Sequence, residues 1–511
     1  MRGIIERHLL ASGGASPATN EAGQRSQWIA GGLLLVALAV SIAFRLYLLI
    51  NKDFPVNDGA LFLEFVRASG ATFPRLPIEV HYNGLVLPFA YPPLSFWLGA
   101  LLTKLGADSL EVVRVLPIAM NIAYVFLFAL LLLRSGRSRL FTALTILFLS
   151  ATSLSFQWLM MGGGLSRGLG SIFLMLTLLA VTLPDRQRRD PSLWQAAAAG
   201  GAVAGAILSH LEWGILAAAC VVLSRALGSS SIKSFIISCA VAGGTAFALI
   251  LPWLLFVVQT HGLTPFLSAG GTSFWGDGKF FGRILSVIRL AVVSNPFAVV
   301  GFFVLLRRRD WFWIGFLLLC VTLTPRHAST PATLANAVLG AQGIITTYRF
   351  ATGYVRSRKL LDASTVALIT ALLAFGVYRI HYNAPGSFRV LPTEMRQAMA
   401  WVAANHPGSR FVIVNDRAWY NDSTGEWFPT LAAAYSMTTV QGREWNGQFG
   451  RWVSSFEALR ESGSCTELHS NFMRFRPFDF VWVESRQECF PSESYQPVFR
   501  NGKVTIYRQR S

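Results

Sequence analysis

Residues 53–93, DFPVNDGALFLEFVRASGATFPRLPIEVHYNGLVLPFAYPP, form the first sizeable polar interruption after the first hydrophobic segment of the chain. Asp58 stands in an Asn-Asp-Gly turn, a short amphipathic helix follows from about Ala60, and Tyr91 stands near the end. In a chain this apolar, a carboxylate just outside the first membrane crossing needs an explanation. The stretch therefore predicts that the chemistry of this chain is organised around Asp58, next to the first crossing.

The composition is that of a polytopic helical membrane protein. Of the 511 residues, 53% are hydrophobic and only 14% are charged, whereas soluble domains carry about 25% charged residues. An apolar run of about 20 residues can cross the hydrocarbon core of a bilayer. The sequence predicts about eleven such helices, at approximately 28–50, 110–133, 140–157, 168–183, 193–209, 213–226, 234–256, 287–306, 311–324, 331–348 and 361–380.

The net charge of +18 comes from short basic clusters between the apolar runs, around 134–139, 186–189, 307–309 and 356–359. Such clusters mark cytoplasmic loops, so the charge argues against nucleic acid as a partner. The alternation predicts a cytoplasmic N-terminus, an extracytoplasmic first loop and an extracytoplasmic C-terminus in the plasma (inner) membrane. The apolar run 94–105 is too short to cross and is predicted to lie along the membrane surface.

Three regions are predicted: a disordered cytoplasmic tail (1–27), a transmembrane domain (28–380) and a small extracytoplasmic α/β domain (381–511). The last region indicates helices at 394–405, near 430–436 and near 453–462, strands at 411–414 and 478–483, and a hairpin turning at Asn501-Gly502. Cys465 and Cys489 are the only cysteines in this region and are candidates for a disulfide if it is extracytoplasmic. The absence of a P-loop argues against an ATP-driven pump.

Asp58 has two interpretations that spacing alone does not separate. It precedes a helix, where Asp is a favoured N-cap. A carboxylate in this position can also act as a general base, and one Asp can do both.

Other ionisable or polar groups lie near the predicted outer ends of spans or in the first loop. Arg326, beside His327, and Arg167 can each pair with a phosphate or extend to the membrane interface. His210 and Glu212 can bind a metal or sugar hydroxyls, or cap a turn. In the C-terminal region, Trp419, Trp427, Trp445 and Trp452 can stack on sugar rings or pack in a core. The set of candidates for donor phosphate or substrate is Arg326, His327, Arg167, His210, Glu212, Asn83 and Tyr91.

No cofactor is certain. The chain has no Asp-x-Asp pair, and His210 and Glu212 alone do not make a metal site. A tightly bound structural metal is therefore not predicted, and a divalent cation is left open.

The motifs together resemble the GT-C glycosyltransferases, such as the protein O-mannosyltransferases and the aminoarabinose transferase of lipid A. The resemblance covers the architecture of residues 28–380 and is carried by the first-loop Asp, Tyr91-Pro92-Pro93-Leu94, Arg114-Val115-Leu116-Pro117 and Pro325-Arg326-His327. The acidic pair usual in the first loop of that family appears here as one carboxylate, in Asn57-Asp58-Gly59. This departure leaves metal use and subfamily open.

The resemblance implies an inverting transfer of a sugar from a polyprenyl-phosphate donor to an acceptor hydroxyl at the outer membrane face. The acceptor is not identified. In that chemistry Asp58 is the general base and Arg326 balances the charge of the leaving lipid phosphate. Two other functions are kept as alternatives: a transporter or flippase of a lipid-linked saccharide, and an inactive envelope protein that binds lipid-linked sugars.

Overall fold

The computed structural model describes residues 20–50, 53–182, 192–271, 295–324, 328–383, 391–447 and 449–510, with residues 282, 284–285 and 287–289. Each predicted span overlaps a helix, although residues 290–294 lie outside the described part and residues 152–156 of the third span are not α-helical. The helices up to residue 383 are α1 (Asn20–Ile50), α2 (Gly59–Thr72), α3 (Leu94–Lys104), α4 (Ser109–Arg134), α5 (Arg139–Ala151), α6 (Gln157–Met160), α7 (Gly164–Thr182), α8 (Leu193–Ser209), α9 (Leu211–Gly228), α10 (Ile232–His261), α11 (Thr264–Gly271), α12 (Phe297–Arg307), α13 (Trp311–Leu323), α14 (Ser329–Thr352) and α15 (Arg358–Asn383).

Within these described ranges, 6 helices (α1, α4, α7, α9, α10 and α15) are long and apolar enough to cross a membrane. The shorter apolar helices are α5, α8, α12 and α13. Helix α14 corresponds to the predicted span 331–348. The chain is therefore a multi-pass membrane protein, as its composition indicates.

Small residues allow neighbouring helices to approach closely. A Cβ on Gly301 of α12 would lie 1.8 Å from the carbonyl oxygen of Leu339 on α14, and a Cβ on Gly200 of α8 would lie 2.2 Å from that of Ala242 on α10. Helices in lipid associate through such close packing, because burial of apolar side chains gives little advantage there. The Gly- and Ala-rich runs of α8 and α14 are thus helix–helix contacts.

The two ends of the helix bundle are marked by different contacts. At one end Arg137, after α4, pairs with Asp310, before α13, at 2.5 Å. Helix α5 begins near this end and leads to the opposite end, where the segment between α5 and α7 contacts the first loop. The two basic loops that the sequence places on one side of the membrane thus lie together.

The stretch that follows the first crossing contains α2, a hairpin of β1 (Glu79–Tyr82) and β2 (Leu85–Pro88), and α3. The hairpin is absent from the sequence prediction, although Asn83 and Gly84 at its turn both have positive φ, as a tight hairpin requires. Helix α3 is the predicted short helix. Phe62 and Phe65 of α2 pack against Phe96 of α3, at ring-centroid distances of 5.0 and 4.9 Å.

The C-terminal domain is a five-stranded mixed sheet with the order β4-β3-β5-β7-β6. Strand β3 is parallel to β4 and β5, whereas β7 is antiparallel to β5 and β6. Its elements are α16 (Thr393–Asn405), β3 (Arg410–Val414), α17 (Ser423–Ala432), β4 (Tyr435–Ser436), α18 (Phe449–Arg460), α19 (Cys465–Phe472), β5 (Phe480–Val483), β6 (Tyr495–Asn501) and β7 (Val504–Gln509).

The helix predicted near 430–436 is misplaced. Asp422 caps α17 by accepting from Gly425 N, and Ala433 ends it in a left-handed conformation, so the helix occupies Ser423–Ala432 and β4 follows. Helix α19 was not predicted. Cys465, its first residue, is joined to Cys489 by a disulfide, with Cα atoms 5.0 Å apart.

Candidate active site

The turn before α2 has an unusual backbone. Asn57 and Asp58 have φ values of 64° and 75°, both in the left-handed region. Asn and Asp tolerate this region better than other residues with a side chain, and two such residues in succession are held here by surrounding contacts. Asp58 occupies the N-cap position of α2, yet its side chain makes no capping hydrogen bond to that helix. The side chain of Asp58 is therefore not the group that caps α2.

The segment between α6 and α7 holds the turn through its backbone. Gly162 N donates to Val56 O at 2.7 Å, and Gly163 N donates to Asn57 O at 2.6 Å. A Cβ on Gly162 would lie 2.2 Å from Gly59 N. Glycine is required at residue 162 because two backbone segments meet there.

Substitution of Gly162 by Ala is expected to displace the turn. Neither backbone segment can yield easily, so we expect a loss of about 1–3 kcal/mol in the free energy of unfolding and a loss of activity. Thermal unfolding of the purified protein measures the first effect. Gly201→Ala on α8 is the matched control, since a Cβ on Gly201 would have no neighbouring atom within 4 Å. Equal melting temperatures for the two variants would contradict the assigned contact.

Arg167 on α7 holds the turn through its side chain. Its Nη2 donates to Asn57 Oδ1 at 2.9 Å, and its Nε donates to Gly163 O at 2.9 Å. The guanidinium also lies 4.1 Å from the ring centroid of Trp158, and the residue is 4% exposed. A cation is thus held against the residue that precedes Asp58.

Glu426 of the C-terminal domain reaches the same turn. Its carboxylate oxygens accept from Asn57 N at 2.8 Å and from Ala60 N at 3.3 Å, and the residue is 1% exposed. Glu426 therefore satisfies N–H groups at the N-terminus of α2, where a negative charge is favoured. The Glu426 carboxylate thus accepts hydrogen bonds from the N-terminus of α2, as the side chain of an N-cap residue usually does.

Further contacts join the C-terminal domain to the first loop. Trp427 Nε1 donates to Pro55 O at 2.9 Å, and Tyr82 Oη donates to Glu426 O at 2.6 Å. Asn83 exchanges hydrogen bonds of 2.7 and 2.8 Å with the backbone of Ser436. Asn83 thus lies at the contact between the first loop and the C-terminal domain, and its predicted contact with substrate stays a prediction.

Burial, followed by the nearby charge of Asp58, raises the pKa of Glu426 well above its ordinary value, while N–H groups of the turn oppose the shift. Burial is also the main cause that raises the pKa of Tyr91 to about 12, with Ser166 and Arg167 opposing it and Asp58 adding to it. Both shifts include a contribution from Asp58, so Asp58 lies within electrostatic reach of Glu426 and of Tyr91.

The raised pKa of Glu426 predicts a pH dependence. Folded protein holds this proton more tightly than unfolded protein, so by linkage the contribution of Glu426 to stability falls as pH rises from its unfolded pKa of about 4.3 towards its folded pKa. Glu426→Gln cannot titrate. We expect the melting temperature of the native protein minus that of the Glu426→Gln variant to decrease as pH rises across this range. A difference that stays constant with pH would show that the pKa of Glu426 is not raised.

Aromatic residues lie beside the turn. Tyr91 Oη lies 3.3 Å from Ser166 Oγ on α7, and the Tyr91 ring contacts Trp445 at 5.6 Å between centroids. Trp427 is completely buried, and the Phe54 ring lies 5.1 Å from it between centroids. Trp427 and Trp445 are thus interface aromatics between the first loop and the C-terminal domain.

The remaining predicted residues have different positions. His210 follows α8 and Glu212 lies in the first turn of α9. His210 packs on α7 about one turn beyond Arg167, because a Cβ on Gly170 would lie 3.3 Å from its Cβ. Arg326 and His327 lie outside the described residues. Among the described residues, no group of three His, Cys, Asp or Glu side chains could hold a metal ion.

Glu426 is the residue that sequence reasoning missed. It lies 369 positions after Asn57, and Gly-Glu-Trp-Phe-Pro has no spacing that links it to the first loop. A weak hint in the sequence is that Glu426 stands among mostly uncharged residues, where a buried carboxylate needs a polar partner.

The fold of this chain is similar to the folds of two proteins of known structure, ArnT and the oligosaccharyltransferase AglB. The chain aligns over 94% of its length with 98% of ArnT from Cupriavidus metallidurans, at 14% identity and a TM-score of 0.51. It aligns over 89% of its length with 69% of the oligosaccharyltransferase AglB from Archaeoglobus fulgidus, at 13% identity and a TM-score of 0.51. No protein-family model matches the sequence, and no curated protein matches it significantly.

Proposed function

We propose that this protein is an inverting glycosyltransferase that moves a sugar from a polyprenyl-phosphate donor to an acceptor hydroxyl, with Asp58 as general base. The observation that carries the proposal is the left-handed turn at Asp58, which α7 and the C-terminal domain hold from two sides. Residues held in sparsely populated backbone regions cluster at active sites.

The reaction requires a general base for the acceptor hydroxyl and a cation for the leaving phosphate. Asp58 accepts the proton of the acceptor hydroxyl as its oxygen bonds to the anomeric carbon. The bond between that carbon and the phosphate oxygen breaks on the opposite face, so the configuration inverts. The lipid phosphate leaves as a stable anion. Arg326 is the residue that we assign to this anion from the sequence, and Arg167 positions the turn through Asn57.

Structural likeness supports the lipid-phosphate donor. AglB has been solved in complex with an inhibitory peptide and a dolichol-phosphate, and this chain shares its fold. A carrier lipid can stay in the bilayer while its phosphate head group reaches a site at one end of the helix bundle. The Asp58 turn lies at such an end.

The basic loops and the disulfide support an orientation with the site outside the cytoplasm. Basic loops prefer the cytoplasmic side, and the pair Arg137–Asp310 lies at the end of the bundle away from the Asp58 turn. The disulfide Cys465–Cys489 fits an oxidising compartment. The outer face of the plasma membrane satisfies both conditions.

The test is transfer by the purified protein in proteoliposomes. Lipids that co-purify with it, identified by mass spectrometry, select the polyprenyl-phosphate sugars to be supplied. We expect release of polyprenyl phosphate together with a new glycosidic product of inverted configuration. Movement of intact donor across the vesicle without such a product would instead identify a flippase, and donor binding without turnover would identify an inactive relative.

A further inference from the structure

A polar cleft opens in the C-terminal domain where β3 and β5 end. These two strands are parallel neighbours at the centre of the sheet. After β3 the chain passes through α17 to β4 on one side, and after β4 it returns through α18 and α19 to β5 on the other side. Such a reversal of strand order leaves a crevice at the carboxyl ends of the strands, the usual position of ligands in open α/β sheets.

The cleft has a volume of about 440 Å³, within the range of about 300–1,000 Å³ that small-molecule sites occupy. Its walls come from the segments after β3 and β5, with Met395 of α16 and Lys503 of the final hairpin. The polar residues that line it include Asn415, Asp416, Asn421, Glu484, Ser485 and Lys503. Carboxylates, carboxamides, a hydroxyl and cations thus face one space.

The floor of the cleft is a charged network. Glu484, whose side chain is 6% exposed, pairs with Arg417 at 2.9 Å and accepts from Trp482 Nε1 at 3.1 Å. Arg417 Nη1 also donates to Thr424 Oγ1 at 2.9 Å. Burial raises the pKa of Glu484, with Arg417 opposing the shift. The floor is therefore rigid and its polar groups are fixed in direction.

Two polar atoms of the walls are buried without a hydrogen-bond partner in the described part of the chain: Ser485 Oγ and Asn421 Oδ1. Leaving such an atom unsatisfied costs about 1–3 kcal/mol. Both residues line the cleft, and a ligand hydroxyl would reach either atom after rotation of its side chain.

We infer that this cleft is a binding site for a neutral saccharide, separate from the turn at Asp58. Sugar hydroxyls both donate and accept hydrogen bonds, which matches a wall of carboxylates, carboxamides and a serine hydroxyl. The lining carries two acids, Asp416 and Glu484, and two cations, Arg417 and Lys503, so it favours neither sign of charge on a ligand. The N-terminus of α17 is closed to an anion, because Asp422 accepts from Gly425 N there.

The position of the cleft connects it with the first loop. Thr424, which contacts the floor, lies two residues before Glu426 on α17. A saccharide held here would therefore be bound beside the helix that holds the Asp58 turn. Saccharide binding itself does not depend on the proposed transferase activity.

The test is saturation-transfer NMR on the full-length protein in nanodiscs, with methyl glycosides of glucose, mannose, galactose and arabinofuranose as probes, each up to about 20 mM. Ser485→Phe fills the cleft, and Asn421→Ala removes one wall group. Ser492→Phe is the matched control, since Ser492 is exposed and outside the cleft. Inorganic phosphate is the anionic comparison, and thermal unfolding confirms that each variant folds.

We expect at least one glycoside to bind, with an affinity reduced about tenfold or more by Ser485→Phe and severalfold by Asn421→Ala, and unchanged in Ser492→Phe. The inference is overturned if no glycoside binds, if phosphate competes with the bound glycoside, or if the two cleft variants bind as the native protein does. Because binding is measured without donor, these outcomes are independent of transfer activity.

Discussion

Replacement of Asp58 by Asn is expected to lower the turnover number about 10²–10⁴-fold, the usual contribution of a general base. Asn has nearly the same shape and tolerates the left-handed conformation that residue 58 adopts. The change therefore removes the proton acceptor and leaves the turn intact. Steady-state transfer in proteoliposomes and donor binding by the same preparation separate the two effects, and we expect donor affinity to change little.

Asp108→Asn is the matched control for this substitution. Asp108 is an exposed N-cap of α4 that accepts from Leu110 N and Glu111 N, and Asn caps helices equally well. We expect Asp108→Asn to keep native activity. A turnover number of Asp58→Asn within about threefold of the native value would remove Asp58 from the chemistry, since a base contributes far more than that.

Replacement of Glu426 by Ala is expected to abolish most activity although the residue lies in another domain. The substitution leaves Asn57 N and Ala60 N without the carboxylate that accepts their hydrogen bonds. Each unsatisfied buried group costs about 1–3 kcal/mol, so the left-handed turn loses one of the contacts that impose it. Hydrogen exchange of residues 53–62 measures the loosening directly, and transfer assays measure its consequence.

Glu493→Ala, an exposed carboxylate in the same domain, is the control for Glu426→Ala. We expect it to exchange and react as the native protein does. Unchanged exchange at the turn in Glu426→Ala would mean that the C-terminal domain does not hold it. Faster exchange with full activity would instead mean that the geometry of the turn is irrelevant to transfer.

The structure changes how the single first-loop acid is understood. The sequence shows one carboxylate, Asp58, where the family it resembles has a pair, and the fold brings Glu426 to the same turn. The second carboxylate is buried and its pKa is raised, so it differs from Asp58 in environment. We assign the two groups different roles: Asp58 reacts, and Glu426 positions.

Patterns of local origin were predictable from the sequence, and contacts between distant segments were not. Each predicted span overlaps a helix, because apolar runs of that length have few alternatives in lipid. The hairpin at Asn501-Gly502 was predicted from its turn residues, while the same dipeptide at Asn83-Gly84 was overlooked within a short, irregular loop. The helix near 430–436 was misplaced because its start depends on a cap at Asp422.

In the candidate site, too, the sequence indicates single residues but does not indicate the contacts between distant segments. Asp58 and Arg167 stand out in sequence because charges are rare near apolar runs. The hydrogen bonds of Glu426 join positions 369 and 366 residues apart, and the requirement for Gly162 comes from its approach to Gly59. No spacing of residues in the sequence indicates either contact, because both contacts depend on tertiary packing.

The central claim is that the Asp58 carboxylate meets the acceptor hydroxyl beside the anomeric carbon of a lipid-linked sugar. The most direct measurement is a cryo-electron microscopy structure with acceptor and a non-cleavable phosphonate analogue of the donor. The account predicts an Asp58 carboxylate oxygen about 2.6–3.2 Å from the acceptor hydroxyl. An anomeric carbon separated from Asp58 by protein, with the donor bound at another place on the bundle, would contradict it.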